Sequence, residues 1–137
     1  MSTILTALQS AKKSMPDASL EAEILLSHVL EKNRAYLYAH PEMELNEAQM
    51  NRYLDLIKHR MQGIPIAYLL SHREFWTLSL KVTPDTLIPR HETERLVELV
   101  LEYVPNIPHI TLLDLGTGSG AIALAIAKER PHWNIDA

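Results

Sequence analysis

The residues in this 137-residue chain best suited to chemistry are an aspartate followed by three alternating glycines: Asp114, Gly116, Gly118 and Gly120. An apolar, β-prone run at 110–115 leads into them, and an alanine-rich, helix-prone run follows at 121–127. A strand, a glycine-rich turn and a helix in this order are typical of a nucleotide-binding unit. Glycines allow positive φ angles and close approach of a ligand, and the helix that follows offers free N–H groups to it.

Two ligand classes are compatible with this turn. Gly116, Gly118 and Ala121 fit the dinucleotide pattern G-x-G-x-x-G/A. The placement of Asp114 two residues before G-x-G-x-G resembles motif I of the class I S-adenosylmethionine-dependent methyltransferases more closely. At this point a methyltransferase, an NAD-dependent enzyme and a plain turn without a ligand all stay open, and the rest of the chain has to decide.

Composition excludes several classes of function. The length suits one ordinary domain, or one small domain with part of another. The net charge of −4 gives no basic field for nucleic acid, and the absence of cysteine excludes disulfides and thiolate metal sites. The first residues do not resemble a signal peptide, and no apolar run reaches membrane-spanning length. We expect a cytoplasmic protein with no metal site, no membrane contact and no direct nucleic-acid binding.

Residues 1–62 have the apolar periodicity of a small helical bundle. The predicted buried stripes are Ile4, Leu5, Leu8 and Ala11, then Leu20, Ile24, Leu25 and Val29, and finally Met50, Tyr53, Leu54, Ile57 and Met61. Asp17, Ser19 and Asn46 are candidate helix caps, and 33–40 suits a short helix.

Residues 63–90 change character, because glycine and prolines interrupt the helical pattern. The alternation at 74–82 predicts a strand or short hairpin, so we interpret 63–90 as a connector between domains. A strong helix is predicted to begin at Glu92. Its glutamates Glu94, Glu98 and Glu102 have i, i+4 spacing, which is most simply a solvated face.

The segment 85–94, Asp-Thr-Leu-Ile-Pro-Arg-His-Glu-Thr-Glu, resembles the "LIPRPETE" segment of the release factor glutamine methyltransferases. These bacterial enzymes methylate the side-chain amide of a glutamine in class I peptide chain release factors. Three further motifs of the family occur here in the same order as in the family. Residues 63–69 resemble "G-x-P-x-A-Y-[LI]", 73–76 resemble "R-E-F-[WY]" and 112–127 resemble motif I. The resemblance covers the whole chain and disfavours an NAD-dependent enzyme.

The resemblance implies an α+β chain with S-adenosylmethionine as cofactor and class I release factors as partners. It implies a helical bundle for release factor recognition at 1–62, a β-hairpin connector at 63–90, and at 91–137 the first strand–helix unit of a Rossmann-like class I methyltransferase domain. Glu92 and Thr93 have helix capping as an alternative role. The implied cofactor-binding residues are Asp114, Gly116, Thr117, Gly118, Ser119, Gly120, Pro89, Arg90, Glu92 and Thr93.

The chain departs from the family pattern at two positions and lacks two family features. His91 stands where the family usually has proline, and Ser71 stands where it usually has glycine. Serine is harmless at that position only if the backbone there has a negative φ. The ribose-binding acidic residue is expected just beyond Ala137, so Asp136 is not assigned to that role. The chain contains no Asn-Pro pair and therefore lacks the family's Asn-Pro-Pro-Tyr motif. For this reason we assign no catalytic residue to it.

These gaps make the sequence look like the N-terminal half of the enzyme. We expect this chain by itself to be inactive and to bind S-adenosylmethionine weakly or not at all. We also expect it either to self-associate through an exposed apolar strand or to be disordered after about Pro105. The alternative is a stand-alone helical interaction module with a vestigial nucleotide loop.

Overall fold

The computed structural model describes residues 2–15 and 18–137, and the chain divides into two compact units, 1–70 and 71–137. The first unit is mainly helical, while the second combines helices with short strands, which agrees with the predicted α+β composition. The predicted connector, 63–90, contributes a helix to the first unit and a hairpin to the second. Asp17, a predicted cap, lies outside the described residues.

The described residues of the first unit, 2–15 and 18–70, form five helices and one small antiparallel strand pair. The helices are α1 (Ile4–Ser14), α2 (Ser19–Leu30), α3 (Arg34–Ala39), α4 (Glu47–Met61) and α5 (Ile66–Leu70), and the paired strands are β1 (Ser2–Thr3) and β2 (Glu44–Leu45).

Side-chain caps explain where some of these helices begin. The predicted cap Asn46 accepts a hydrogen bond from the Gln49 N–H (2.8 Å), and the Gln49 side chain accepts one from the Asn46 N–H (3.0 Å). This reciprocal pair is a capping box and fixes the start of α4. Ser19 was a wrong prediction as a cap, because it is the first residue of α2 and follows Ala18, which makes no side-chain cap bond.

The core of the first unit lies on narrower helix faces than the sequence predicted. Ile4, Ala7 and Ala11 form the buried side of α1 at i, i+3 and i+7 spacing. Leu5 in α1 and Leu20 in α2 are half exposed, as 49% and 50% of their surfaces stay accessible. Neighbouring helices cover only a narrow stripe, so a residue one position to the side of it remains in solvent. The same holds for two residues of α4, Leu54 and Met61.

A buried carboxylate joins α2 to α3. Glu23 is 5% exposed and accepts two hydrogen bonds from Arg34, at 3.0 and 2.7 Å, and one from the Tyr38 hydroxyl at 2.6 Å. Burial acts to raise the pKa of Glu23, but the hydrogen bonds from Tyr38 and Arg34 outweigh it and hold the pKa below its ordinary value. The buried charge is therefore fully paired, as a stable core requires.

The second unit contains a hairpin, two helices and a parallel strand pair. In chain order they are β3 (His72–Phe75), β4 (Leu78–Lys81), α6 (Glu94–Tyr103), β5 (Thr111–Leu113), α7 (Ala121–Glu129) and β6 (Asn134–Asp136). The predicted hairpin at 74–82 is present, as β3 and β4 pair antiparallel around a two-residue turn, Trp76–Thr77. A 3₁₀ turn, His91–Thr93, precedes α6.

The parallel pair β5 and β6 has one covered face and one bare face. Leu112 lies opposite Ile135, and both pack against the core that Phe75 and Val97 help to form. Side chains alternate between faces along a strand. Leu113 and the following Leu115 are 62% and 82% exposed. The strand is thus apolar on both sides, as the sequence indicated, but elements of this unit cover only one of them.

Candidate cofactor-binding site

The glycine loop, residues 114–120, connects the end of β5 to the start of α7. Gly116, Gly118 and Gly120 have φ angles of 76°, 58° and 79°, a conformation that residues with a Cβ rarely adopt. A Cβ added at Gly116 would meet nothing within 4 Å, whereas one at Gly120 would lie 3.1 Å from Leu124 Cδ1. The first part of the loop therefore leaves open space for a ligand, and the last glycine allows the loop to pack on its own helix.

Hydrogen bonds hold Asp114 at the carboxyl end of β5. Its carboxylate Oδ2 accepts a bond from the Thr117 hydroxyl at 2.9 Å, and its N–H donates to the Asp136 carbonyl at 2.8 Å. The Gly120 N–H donates to the Thr117 carbonyl at 2.9 Å, which closes the loop. The first N–H groups of α7 have no carbonyl within that helix to bond, so the loop combines a fixed carboxylate with a cluster of donors.

A cleft of about 370 Å³ adjoins the loop. Thr117, Gly118 and Ser119 line its polar side, and Leu124 and Ile135 belong to its apolar side. A cleft with these two kinds of wall suits a ligand that has both a polar and an apolar part.

The second predicted segment, Pro89, Arg90, Glu92 and Thr93, lies immediately before α6. Arg90 and Glu92 are exposed, and Thr93 occupies the cap position of α6 without making a side-chain cap bond. The capping alternative therefore has no support at Thr93. Within the described part of the chain, no hydrogen bond or ion pair joins this segment to the glycine loop.

Glu94 has a contact that the sequence reasoning missed. Its Oε1 accepts a hydrogen bond from the Trp76 backbone N–H at 2.7 Å, and His91 Nδ1 lies 3.4 Å away. The bond from the Trp76 N–H holds the pKa of Glu94 below its ordinary value, His91 adds to this, and partial burial opposes it. The prediction of a solvated face was wrong for this glutamate, and no signal in the helical spacing points to a partner 18 residues earlier.

Ser71 has a backbone conformation that is unfavourable for any residue other than glycine. Its φ is 60°, in the left-handed region, and its carbonyl accepts a hydrogen bond from the Val82 N–H at 3.2 Å. The expectation that serine is harmless here required a negative φ, and that condition is not met.

Residues 2–15 and 18–137 contain neither a metal-binding cluster nor a membrane-spanning helix. This part of the chain contains no group of three or more histidine, cysteine or acidic side chains arranged to hold a metal ion. None of its helices has the length and apolar character needed to cross a bilayer.

Comparison with known proteins gives a consistent result over both units. Residues 4–70 match the family model of the PrmC N-terminal domain, and this match ends at the last residue of the first unit. The chain matches the N-terminal part of release factor glutamine methyltransferases. This confirms the family resemblance that the motifs at 63–69, 73–76, 85–94 and 112–127 indicated.

Three curated relatives show the extent of the match. The release factor glutamine methyltransferase of Coxiella burnetii is 58% identical over 118 residues, which are 86% of this chain and 43% of that protein. Those of Aliivibrio fischeri and Shewanella oneidensis are 51% and 49% identical, over 85% and 90% of this chain and 40% and 43% of the relatives. The chain therefore spans less than half the length of these relatives.

Proposed function

We propose that this chain is the N-terminal part of an S-adenosylmethionine-dependent methyltransferase that methylates the side-chain amide, N5, of a glutamine in class I peptide chain release factors. The observation that carries the proposal is the 58% identity to a release factor glutamine methyltransferase across 86% of the chain. The proposed substrate also implies a cytoplasmic enzyme, because translation ends in that compartment.

The proposal includes a Rossmann-like class I methyltransferase fold for the second unit. The parallel strands β5 and β6 are joined through α7, and the glycine loop lies at the carboxyl end of the first strand. Ligands of open parallel sheets bind outside the carboxyl ends of the strands. The glycine loop has this location, which supports the proposed fold.

The loop residues fit one part of S-adenosylmethionine. Gly116 and Gly118 leave space for close approach, and Asp114, Thr117 and the first N–H groups of α7 offer polar contacts to the amino acid part and the ribose. Bound there, S-adenosylmethionine would supply a methyl group on a sulfonium. In the proposal, Ser119 and Gly120 complete the loop, and Pro89, Arg90, Glu92 and Thr93 contribute a second wall.

The role of this chain in the reaction is to bind and orient, since we assign it no catalytic residue. A glutamine amide nitrogen is a weak nucleophile, so groups that hold it in line with the methyl and accept its proton would carry the catalysis. The Asn-Pro-Pro-Tyr motif that performs this in the family does not occur in these 137 residues.

We propose the first unit as the surface that recognises the release factor. Residues 4–70 match the PrmC N-terminal domain, and this unit is compact by itself. A second candidate function is a stand-alone interaction module, which the compactness of residues 1–70 favours. The two candidates differ in one respect, because only the first requires the glycine loop to bind S-adenosylmethionine.

Isothermal titration with S-adenosylmethionine separates these functions. We expect the full-length protein that contains this chain to bind the cofactor, and residues 1–137 alone to bind weakly or not at all. Failure of the full-length protein to bind would favour the interaction module. Micromolar binding by monomeric residues 1–137 would show that the pocket lies within them.

A further inference from the structure

The hairpin turn Trp76–Thr77 is bonded to both helices of the second unit. The Trp76 backbone N–H donates to Glu94 Oε1 at 2.7 Å, and its indole Nε1–H donates to Glu129 Oε1 at 2.8 Å. Lys128 Nζ donates to the Thr77 carbonyl at 3.1 Å. The turn therefore connects the first residue of α6 to the last two residues of α7.

Trp76 occupies a costly backbone conformation at this point. Its φ is 55°, in the left-handed region, which is unfavourable for a bulky side chain. The residue is half buried and packs against the core of the unit. Strain of this kind persists where surrounding contacts over-determine it, and it concentrates at functional positions.

Each helix that the turn connects adjoins one part of the proposed cofactor site. The 90–93 segment leads directly into Glu94, and the Thr93 N–H donates to the Arg90 carbonyl at 3.0 Å. The glycine loop leads directly into α7, which ends at Glu129. A helix of this length is a rigid rod of roughly 13 Å, so fixing its far end also fixes the loop at its start.

We propose that Trp76, Glu94 and Glu129 are positioning residues that hold the 90–93 segment and the glycine loop in the relative placement that S-adenosylmethionine requires. This rests on the proposed function, because it takes those two segments to be the walls of the cofactor site. Trp76 donates a hydrogen bond to each of the two glutamates, and the proposal gives none of the three residues a direct contact with the cofactor. Their loss should therefore weaken cofactor binding indirectly.

Because Glu94 is charged, the strength of its hydrogen bond to the Trp76 N–H should depend on pH. A carboxylate is a stronger acceptor for the Trp76 N–H than a protonated carboxyl group. The charged groups that act on it are His91, on the same segment, and Arg73, on β3. Since the pKa of Glu94 is lowered in the folded chain, its contribution is present above the ordinary glutamate pKa and is lost as the pH falls through the lowered one.

The test uses the full-length protein with the variants Glu94→Ala and Glu94→Gln, and Glu102→Ala as a matched control on the same helix. The glutamine side chain retains an oxygen that can accept from the Trp76 N–H, but it does not titrate. Without ligand, we expect amides of residues 90–93 and 116–120 to exchange about tenfold faster in Glu94→Ala than in the wild type, with little change in the other two variants. The Trp76 amide shift should titrate with pH in the wild type and not in Glu94→Gln.

The second arm measures S-adenosylmethionine itself. We expect Glu94→Ala to raise KM for S-adenosylmethionine about tenfold while kcat changes less, Glu94→Gln to restore most of the loss, and Trp76→Phe to show a smaller effect through Glu129 alone. Equal KM in Glu94→Ala and Glu102→Ala would overturn the proposal. So would unchanged amide exchange at both segments. A wild type that fails to bind S-adenosylmethionine would overturn the proposed function, while the exchange arm still reports on whether the turn fixes the two segments.

Discussion

Gly116→Ala and Gly63→Ala form a matched pair that separates the binding role of a glycine from its structural role. Both residues have left-handed φ angles, 76° at Gly116 and 91° at Gly63. A Cβ added at either position would meet nothing within 4 Å. The two substitutions therefore introduce a similar kind of backbone strain and no steric clash with the protein, but only Gly116 lies in the proposed cofactor site.

The expected loss of stability is small and similar in both variants. A residue with a Cβ pays about 1–2 kcal/mol in the left-handed region, and the reduced freedom of the unfolded chain offsets about 0.4–1 kcal/mol of it. Each variant should lose about 0.5–1 kcal/mol of unfolding free energy in its own unit. For cofactor affinity, Gly116→Ala places a methyl group where the ligand approaches the backbone. We expect at least about a tenfold rise in Kd there, and none for Gly63→Ala.

The assay combines amide hydrogen exchange, which reports the stability of each unit separately, with calorimetric titration of S-adenosylmethionine into the full-length protein. Equal losses of stability with a loss of affinity only in Gly116→Ala would support the reasoning. Unchanged affinity in Gly116→Ala would refute it, because the open space above that glycine would then not be ligand space.

Three further predictions concern other parts of the chain. Ser71→Gly should raise the unfolding free energy of the second unit by about 0.5–1 kcal/mol, because it removes left-handed strain, and urea denaturation would measure this; a loss of stability would contradict it. Glu23→Gln should remove the part of the acid-dependent stability of the first unit that Glu23 contributes. That part is present above the ordinary pKa of glutamate and is lost as the pH falls through the lowered pKa of Glu23. The urea midpoint would be measured as a function of pH for the wild type and for Glu23→Gln, and the same pH dependence in both would contradict the prediction. Residues 1–137 should self-associate through the bare face of β5, and light scattering should find a Leu113→Lys, Leu115→Lys variant monomeric at concentrations where the unsubstituted chain is not.

Local signals carried most of the correct sequence predictions. Asn46 three residues before Gln49 is a capping pattern that acts within one turn, and the alternation at 74–82 predicts its own hairpin. The positions of the three loop glycines follow from a conformation that other residues avoid. Such features depend on neighbours in the chain and can be read without knowledge of the tertiary fold.

Features that depend on distant parts of the chain could not be predicted in this way. Strand β1 pairs with β2, whose residues come much later in the chain, since Ser2 lies opposite Leu45 and Thr3 opposite Glu44. Each strand has only two residues, too few to show the alternation of apolar and polar side chains that predicts a strand. The contact between Glu94 and Trp76 joins a helix start to a hairpin turn, so helical spacing alone indicates solvent for that carboxylate. The exposure of Leu5 depends on how narrowly neighbouring helices cover α1.

Methylation of a release factor tests the central claim most directly. The full-length protein that contains this chain would be incubated with a class I release factor and S-adenosylmethionine carrying a labelled methyl group, and the modified residue would be located by mass spectrometry. We predict a single labelled methyl group on the side-chain amide of one glutamine of the release factor. With S-adenosylmethionine below its Kd, Gly116→Ala should slow this labelling about tenfold. Binding of S-adenosylmethionine without any labelling of the release factor would contradict the proposed substrate.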